Sequence, residues 1–397
     1  MAEKKARDGE KARERLPSRS ESKRTVRTFA AASFLNDMGS DMIYPIWPLF
    51  LTTVLNANMA VLGLIDGLGD AIVSVSQAAS GYVSDRTRKR KIFIWTGYLC
   101  GGVSRLGYAF SKAWEHIIPF RVLDRAGKMR GAPRDAIIAD LSTRENRGSN
   151  FGLLRAMDNL GAVVGVIVTI LLFGILGYTN LFLLAAIPSF IAVALIITLV
   201  RERKVEKARL FKGISFRDLD GNFRLFFLLS GIFALGSFSF SFLLIYAKEF
   251  GFGVTFIPVL YLLFTVVAFL FSLPFGKMAD RVGRKPVIMA AFAFWGLLLL
   301  TFIFVQTTLA AVLVFVLFGL HKGALEPVQK AFVSELSPER YRASTLGGFQ
   351  MVVGLAALPA SLIAGLLWDQ VGILVPLYFS LALTAIALSL MVFVRER

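Results

Sequence analysis

The sequence predicts an all-α integral membrane protein of twelve transmembrane helices, arranged as two pseudo-symmetric six-helix bundles. Three observations carry this prediction. Apolar runs long enough to cross a bilayer recur along the chain, Lys and Arg crowd into alternate connections, and two short motifs repeat at one offset.

Of the 397 residues, 56% are apolar and 18% charged, with 36 Phe, against about 45–50% apolar and about 25% charged in soluble domains. Mean hydropathy is +0.65, so much of the surface faces something less polar than water. A net charge of +17 would suggest nucleic acid in a soluble chain, but here the basic residues are segregated into short connections, which excludes that partner. A single cysteine, Cys100, excludes a disulfide framework, and two histidines, His116 and His321, leave no His/Cys metal cluster. No nucleophile–base set, phosphate loop or metal triad is visible, so neither an enzyme nor a cofactor is expected.

Residues 1–27 are mixed-charge and poor in apolar side chains, and read as a disordered basic cytoplasmic tail. Apolar segments then fall at 29–52, 59–82, 92–111, 115–138, 150–173 and 179–200, giving an N-terminal bundle over 28–200. A polar cytoplasmic linker occupies 201–222, and the pattern resumes at 223–247, 254–275, 286–305, 308–333, 344–367 and 371–394 as a C-terminal bundle over 223–397. About 20 apolar residues are needed to cross ~30 Å of hydrocarbon. The absence of period-two alternation makes these helices rather than barrel strands.

Lys and Arg concentrate in the tail, at Arg86–Lys91, Arg144–Arg147, Arg201–Arg217, Lys277–Lys285 and Arg340–Arg342, whereas 53–58, 174–178, 306–309 and 368–372 have none. The positive-inside rule then places both termini in the cytoplasm of a cell-membrane protein. The repeat is equally plain. Gly81-x-x-x-Asp85-Arg86 after the second span matches Gly276-x-x-x-Asp280-Arg281 after the eighth, 195 residues apart, and Asp140-Leu-Ser matches Glu335-Leu-Ser at the same offset.

The loop Gly81-x-x-x-Asp85-Arg86-x-Arg88-Lys89-Arg90 and its echo Gly276-x-x-x-Asp280-Arg281-x-Gly283-Arg284-Lys285 resemble the signature loop of the major facilitator superfamily. Arg88 stands where that family usually has Gly. Asn36-Asp37-x-x-x-Asp41-x-x-Tyr44-Pro45-x-x-Pro48 and Asp124-Arg125-x-Gly127-Lys128-x-Arg130-x-x-Pro133-Arg134-Asp135-Ala136 resemble a prokaryotic branch of it. Gly161-x-x-x-Gly165 is similar to a glycine motif of drug/proton antiporters, with Val166 where Pro is expected. The resemblance implies a central cavity lined by helices one and four, and a monomer that transports by rocking of its two halves. It further implies a cytoplasmic gate built from Gly81, Asp85, Arg86, Arg88, Lys89, Arg90, Asp280, Arg281 and Arg284, in which Asp85 meets the opposite half.

Ionisable residues inside spans point to mechanism. Asp37 and Asp41 are spaced i, i+4 with Tyr44 on the same face, and Asp66 and Asp70 repeat the spacing on span two. Asp124 and Arg125 lie on span four, Arg155 and Asp158 on span five, His321 and Glu326 on span ten. A charge at a helix centre costs roughly 2.5–3.5 kcal/mol, so each must be paired, hydrated or protonated. Arg125 or Arg155 is expected to neutralise some aspartates, leaving a carboxylate, with Asp41 and Asp70 leading, to bind and release a proton. His321 and Glu326 are candidates for a coupling or substrate role. The function expected is proton-coupled efflux of a small organic or cationic solute. Two rivals follow: a divalent metal transporter using Asp37, Asp41, Asp66 and Asp70, and a non-transporting sensor or lipid scramblase.

Overall fold

The computed structural model describes residues 19–87, 89–143, 146–202, 220–337 and 342–396. Among them, eight helices are long and apolar enough to cross a membrane, and one of these, Ser149–Leu199, spans 51 residues. It counts as two because Gly177 breaks it at φ 65°, a backbone conformation that glycine adopts without steric cost. Three more spans are shortened or made less apolar by prolines, glycines and charges, which completes twelve.

In chain order, α1 is Arg19–Asp41 and, beyond a turn, Trp47–Leu49 running into a π-helical turn Phe50–Val54. Pro45 and Pro48 account for the interruption, since neither can donate a helical N–H. Next come α2 (Met59–Thr87) and α3 (Lys91–Phe110). The fourth, α4, comprises Trp114–Ala126, a tightened turn Gly127–Arg130 and Gly131–Asp140. Arg147–Leu199 supplies α5 before Gly177 and α6 after it. In the second half, α7 is Gly221–Gly236 and Phe240–Glu249, with Ser239 capping the second piece. Then follow α8 (Ile257–Val282), α9 (Arg284–Phe304), α10 (Thr308–Leu336), α11 (Arg342–Gln370) and α12 (Val375–Phe393). The helix of α1 begins inside the segment expected to be a disordered tail; residues 1–18 of that tail, and 203–219 of the linker, lie outside the described residues.

The two halves carry the same helix-capping device. Glu202, just after α6, accepts hydrogen bonds from the Arg90 N–H at 2.8 Å and the Lys91 N–H at 3.1 Å, at the start of α3. Glu396, just after α12, accepts from the Arg284 and Lys285 N–H groups at the start of α9. Lys91 Nζ donates to the Ile197 carbonyl and Lys285 Nζ to that of Val392. A carboxylate at a helix N-terminus satisfies orphan N–H groups and complements the dipole. The repeated acids Asp140 and Glu335 each meet an arginine of the loop motif in their own half: Arg90 meets Asp140 at 2.5 Å, and Arg284 meets Glu335 at 3.0 Å.

The halves meet chiefly where α2 lies on α11 and α8 on the α5–α6 helix. The first contact is backbone against backbone: a Cβ added at Gly63 would stand 2.0 Å from the Ser361 carbonyl oxygen, and one at Gly365 2.2 Å from that of Met59. This close approach runs as far as Ser74 beside Gly354. Beyond it, toward the face that carries the start of α1 and the end of α12, a Cβ added at Gly347 or Gly348 would meet nothing within 4 Å. The halves therefore touch on one face and part on the other.

Candidate functional site

A cavity of about 420 Å³ lies between α1 and α5 of one half and α7, α8 and α10 of the other. Asp41 of α1 and Asn159 of α5 line one side; Tyr261, Phe264, Thr265 and Ser272 of α8, Phe240 of α7, and Phe318, Lys322 and Glu326 of α10 line the other. Its C-half wall is a chain of rings, with Phe240 5.4 Å from Tyr261, Tyr261 4.7 Å from Phe264, and Phe264 4.9 Å from Phe318.

Asp41 ends the first helix of α1, and the residue is 9% exposed. It accepts a hydrogen bond from the Tyr261 hydroxyl at 2.9 Å, across the two halves. Among the described residues no Lys or Arg nitrogen lies within 4.0 Å of it, although Lys128 and Arg105 act on it from farther away. Tyr44, one helical face on, receives Arg125 Nη1 on its hydroxyl at 3.0 Å and carries that guanidinium 5.1 Å above its ring. Asp124 lies 3.7 Å from its neighbour Arg125, so the expected Asp–Arg pair of α4 is present and buried.

Asp66 is the opposite case. Its carboxylate accepts from Trp47 Nε1 at 3.0 Å, Arg121 at 2.7 Å, Ser239 Oγ at 2.8 Å and Ser241 Oγ. A carboxylate offers about four lone-pair sites, so Asp66 is saturated. Two of these donors come from α7, which makes Asp66 a bridge between halves. Asp70, one turn on, has none of these bonds and lies exposed on α2. Asp37 lies 3.8 Å from Arg130 and accepts from Asn36 Nδ2 at 3.0 Å.

Several expectations change. Asp37, Asp41, Asp66 and Asp70 do not converge, and among the described residues no group of three His, Cys, Asp or Glu is spaced to hold a metal. Asp66 is occupied by Arg121, Trp47 and two serines, so the four aspartates do not form one carboxylate cluster. Arg155 has a 64% exposed side chain and, among the described residues, pairs with Asp158 at 3.4 Å, while Arg134 approaches Asp158 at 3.8 Å. It does not neutralise the mid-span aspartates. His321 is buried behind the cavity wall, its Nδ1 2.8 Å from the Ala291 carbonyl and its ring among Phe233, Trp295 and Phe318. The bond fastens α10 to α9, and His321 is not among the residues that line the cavity. Glu326 does line the cavity, 3.8 Å from Lys322.

The described residues of the expected gate pair within their own halves. Gly81 packs near Ala132, Arg86 reaches the Tyr82 hydroxyl at 3.4 Å, Arg90 meets Asp140, and Asp280 meets Arg284 at 3.3 Å. Lys89 and Arg281 are exposed, and the Asp85 side chain and Arg88 lie outside the described residues. No latch joins these loops across the open face among the residues described.

Two contributors escaped the sequence reading. Arg105, 2% exposed on α3, donates to the carbonyls of Ala185 and Asn36 and to the hydroxyls of Ser189 and Ser40, so it pins α1 to α6 beside Asp41. A lone Arg in an otherwise apolar span was the available signal. Tyr261 offered one too, as a phenolic hydroxyl in a span whose apolar residues are mostly Leu, Val and Phe.

Comparison with known proteins now fixes the family. The sequence profile of the Major Facilitator Superfamily matches residues 29–244 and 225–397. The chain belongs to the Major Facilitator Superfamily. An uncharacterized MFS-type transporter of Methanocaldococcus jannaschii is 38% identical over 85% of this chain and 86% of its own length. A multi-drug resistance efflux pump of Streptococcus pneumoniae is 25% identical over 77% of this chain and 80% of its own. Among solved structures, the nucleoside transporter NupG superposes with a TM-score of 0.72 at 19% identity, covering 93% of this chain and 97% of its own. A peptide-transporter-family protein in complex with 5-aminolevulinic acid gives 0.75 at 14% identity, covering 93% and 95%. These likenesses establish the fold and a multi-pass membrane transporter, not an enzyme.

Proposed function

We propose that this MFS protein is a proton-coupled exporter of a small organic cation, working by alternating access of its two halves. The observation that carries the reading is Asp41: a carboxylate held out of water at the cavity wall, without a cation within 4.0 Å. Such a group is costly as a free anion in a low-dielectric site. A proton or a cationic solute relieves that cost, and binding of one excludes the other, which is the logic of exchange.

The opposite wall supports the solute class. Phe240, Tyr261 and Phe264 line the wall across from the carboxylate, while the Phe318 ring already carries Lys322 Nζ at 5.8 Å; a ring face attracts an organic cation by about 0.5–2 kcal/mol. A cavity of about 420 Å³ suits a small organic molecule rather than a bare ion. Tyr261 ties occupancy to conformation, because its bond to Asp41 spans the halves. A ligand that takes over the Asp41 carboxylate replaces that bond and so has a different affinity for the two arrangements. Asp70, on the open passage, is assigned a second protonatable position. The likeness to a multi-drug efflux pump supports export as the direction.

The test is flux of tetraphenylphosphonium from proteoliposomes with and without an imposed pH gradient. Gradient-stimulated flux is expected in the wild type, lost in Asp41→Asn and weakened in Asp70→Asn. Stimulation that survives unchanged in Asp41→Asn would move coupling elsewhere. Lipid flipping without solute flux would overturn the transport reading itself.

A further inference from the structure

We propose that the groove between the start of α1 and the end of α6 is a binding site for one anionic phospholipid of the leaflet on the side of the termini. The groove, of about 450 Å³, is lined by Ser20, Lys23, Arg24, Arg27, Thr28 and Ala31 of α1 with Leu195 and Leu199 of α6. The six α1 positions follow i, i+3, i+4, i+7, i+8, i+11, so they form one continuous face of the helix. That face changes character along its length: two hydroxyls and three cations, then a methyl, with two leucines one turn apart alongside.

A phospholipid has the complementary order. Its phosphate matches the Lys and Arg rim, which offers charge-assisted hydrogen bonds, and its acyl chains match Ala31, Leu195 and Leu199. Lys23, Arg24 and Arg27 are exposed, while Val26, Phe29 and Ala30 on the other side of α1 are buried against the bundle. The basic face is therefore presented outward by the packing of α1 rather than being a frayed end. Glu21, the acid of this turn, lines a neighbouring hollow together with Arg24, Thr25 and Arg201, whereas Lys23 and Arg27 line this groove and not that hollow. The groove also sits on the helix whose far end carries Asp41, so an occupied groove steadies the element that bears the cavity carboxylate.

Native mass spectrometry of the full chain, delipidated and then given equal phosphatidylglycerol and phosphatidylcholine of the same acyl chains, tests the site. Wild type is expected to retain the anionic lipid at least tenfold over the zwitterionic one. Lys23→Gln/Arg24→Gln/Arg27→Gln is expected to abolish that preference, whereas Lys277→Gln/Lys330→Gln/Arg395→Gln, which removes as many charges from the same face of the other half, retains it. Ala31→Phe, which fills the apolar part without touching charge, is expected to lower retention of both lipids. Inorganic phosphate at millimolar concentration is expected not to displace the lipid; complete displacement would reduce the site to an anion site and overturn the proposal. Equal loss of preference in the two triple variants, or none in the first, would also overturn it. No outcome depends on which solute the cavity carries.

Discussion

Replacing Ser239 and Ser241 together by Ala removes both hydroxyls that α7 gives to Asp66, while leaving the Asp66–Arg121 ion pair inside its own half. A hydrogen bond to a charged group contributes about 1.5–3 kcal/mol net, and both bonds here fall on one carboxylate oxygen, so the low end applies to each. The pair then favours the arrangement closed on the Asp66 face by about 3 kcal/mol, or roughly a hundredfold in the equilibrium between arrangements. An equilibrium of about 1:99 would move to near parity. Spin labels at Tyr82 and Gly347, on the parted ends of α2 and α11, report this in a Cys100→Ala background, Cys100 being the one native cysteine. The double variant is expected to gain a population with a shorter label-to-label distance. An unchanged distance distribution in a folded double variant would refute the assignment of Asp66 as a bridge that sets the resting arrangement.

Other outcomes follow from the same contacts. Asp369 accepts from the Met59 and Ala60 N–H groups at 3.1 and 2.7 Å across the halves, so Asp369→Asn is expected to shift the same label distances in the same direction, by about 1 kcal/mol because the site is exposed. Gly63→Val would force a side chain onto the Ser361 carbonyl; it is expected to abolish flux and lengthen α2–α11 distances while each half keeps its helical circular dichroism. Glu202→Ala and Glu396→Ala, which remove equivalent caps, are expected to lower stability similarly, by about 1–2 kcal/mol each in denaturant titration, and a much larger effect in one would argue against their equivalence.

The twelve spans were legible because an apolar run of membrane length needs no tertiary information to be read. The duplication was legible for the same reason, as identity at a fixed offset. What Asp140 and Glu335 do was not, because their partners Arg90 and Arg284 lie about 50 residues away and belong to loops read as a gate. The caps Glu202 and Glu396 were missed because each stands just past a helix end, where a charge looks like solvent-facing tail. Within the site, Asp41 and the Asp124–Arg125 pair were visible from sequence, whereas the placements of His321 behind the cavity wall and of Arg155 beside Asp158 were not. A titratable type inside a span says that the group needs an explanation; only packing tells whether a carbonyl, an arginine or a cavity supplies it.

Asp66 and Asp41 make that point sharply, since both occupy i, i+4 aspartate pairs and both bridge the halves. Asp66 has four donors, one of them a guanidinium, and its charge is satisfied wherever the solute stands. Asp41 has a single neutral donor from Tyr261 and a cavity beside it. Remove the bridge at Asp66 and the arrangement of halves changes whether or not solute is present; neutralise Asp41 and it changes only through occupancy. The Ser239→Ala/Ser241→Ala variant should therefore shift the label distances equally in empty and loaded protein. In Tyr261→Phe, which keeps the ring wall but loses the bond to Asp41, loaded and empty distances should converge. A solute-dependent response that survived in Tyr261→Phe would mean the cavity communicates with the halves by another route.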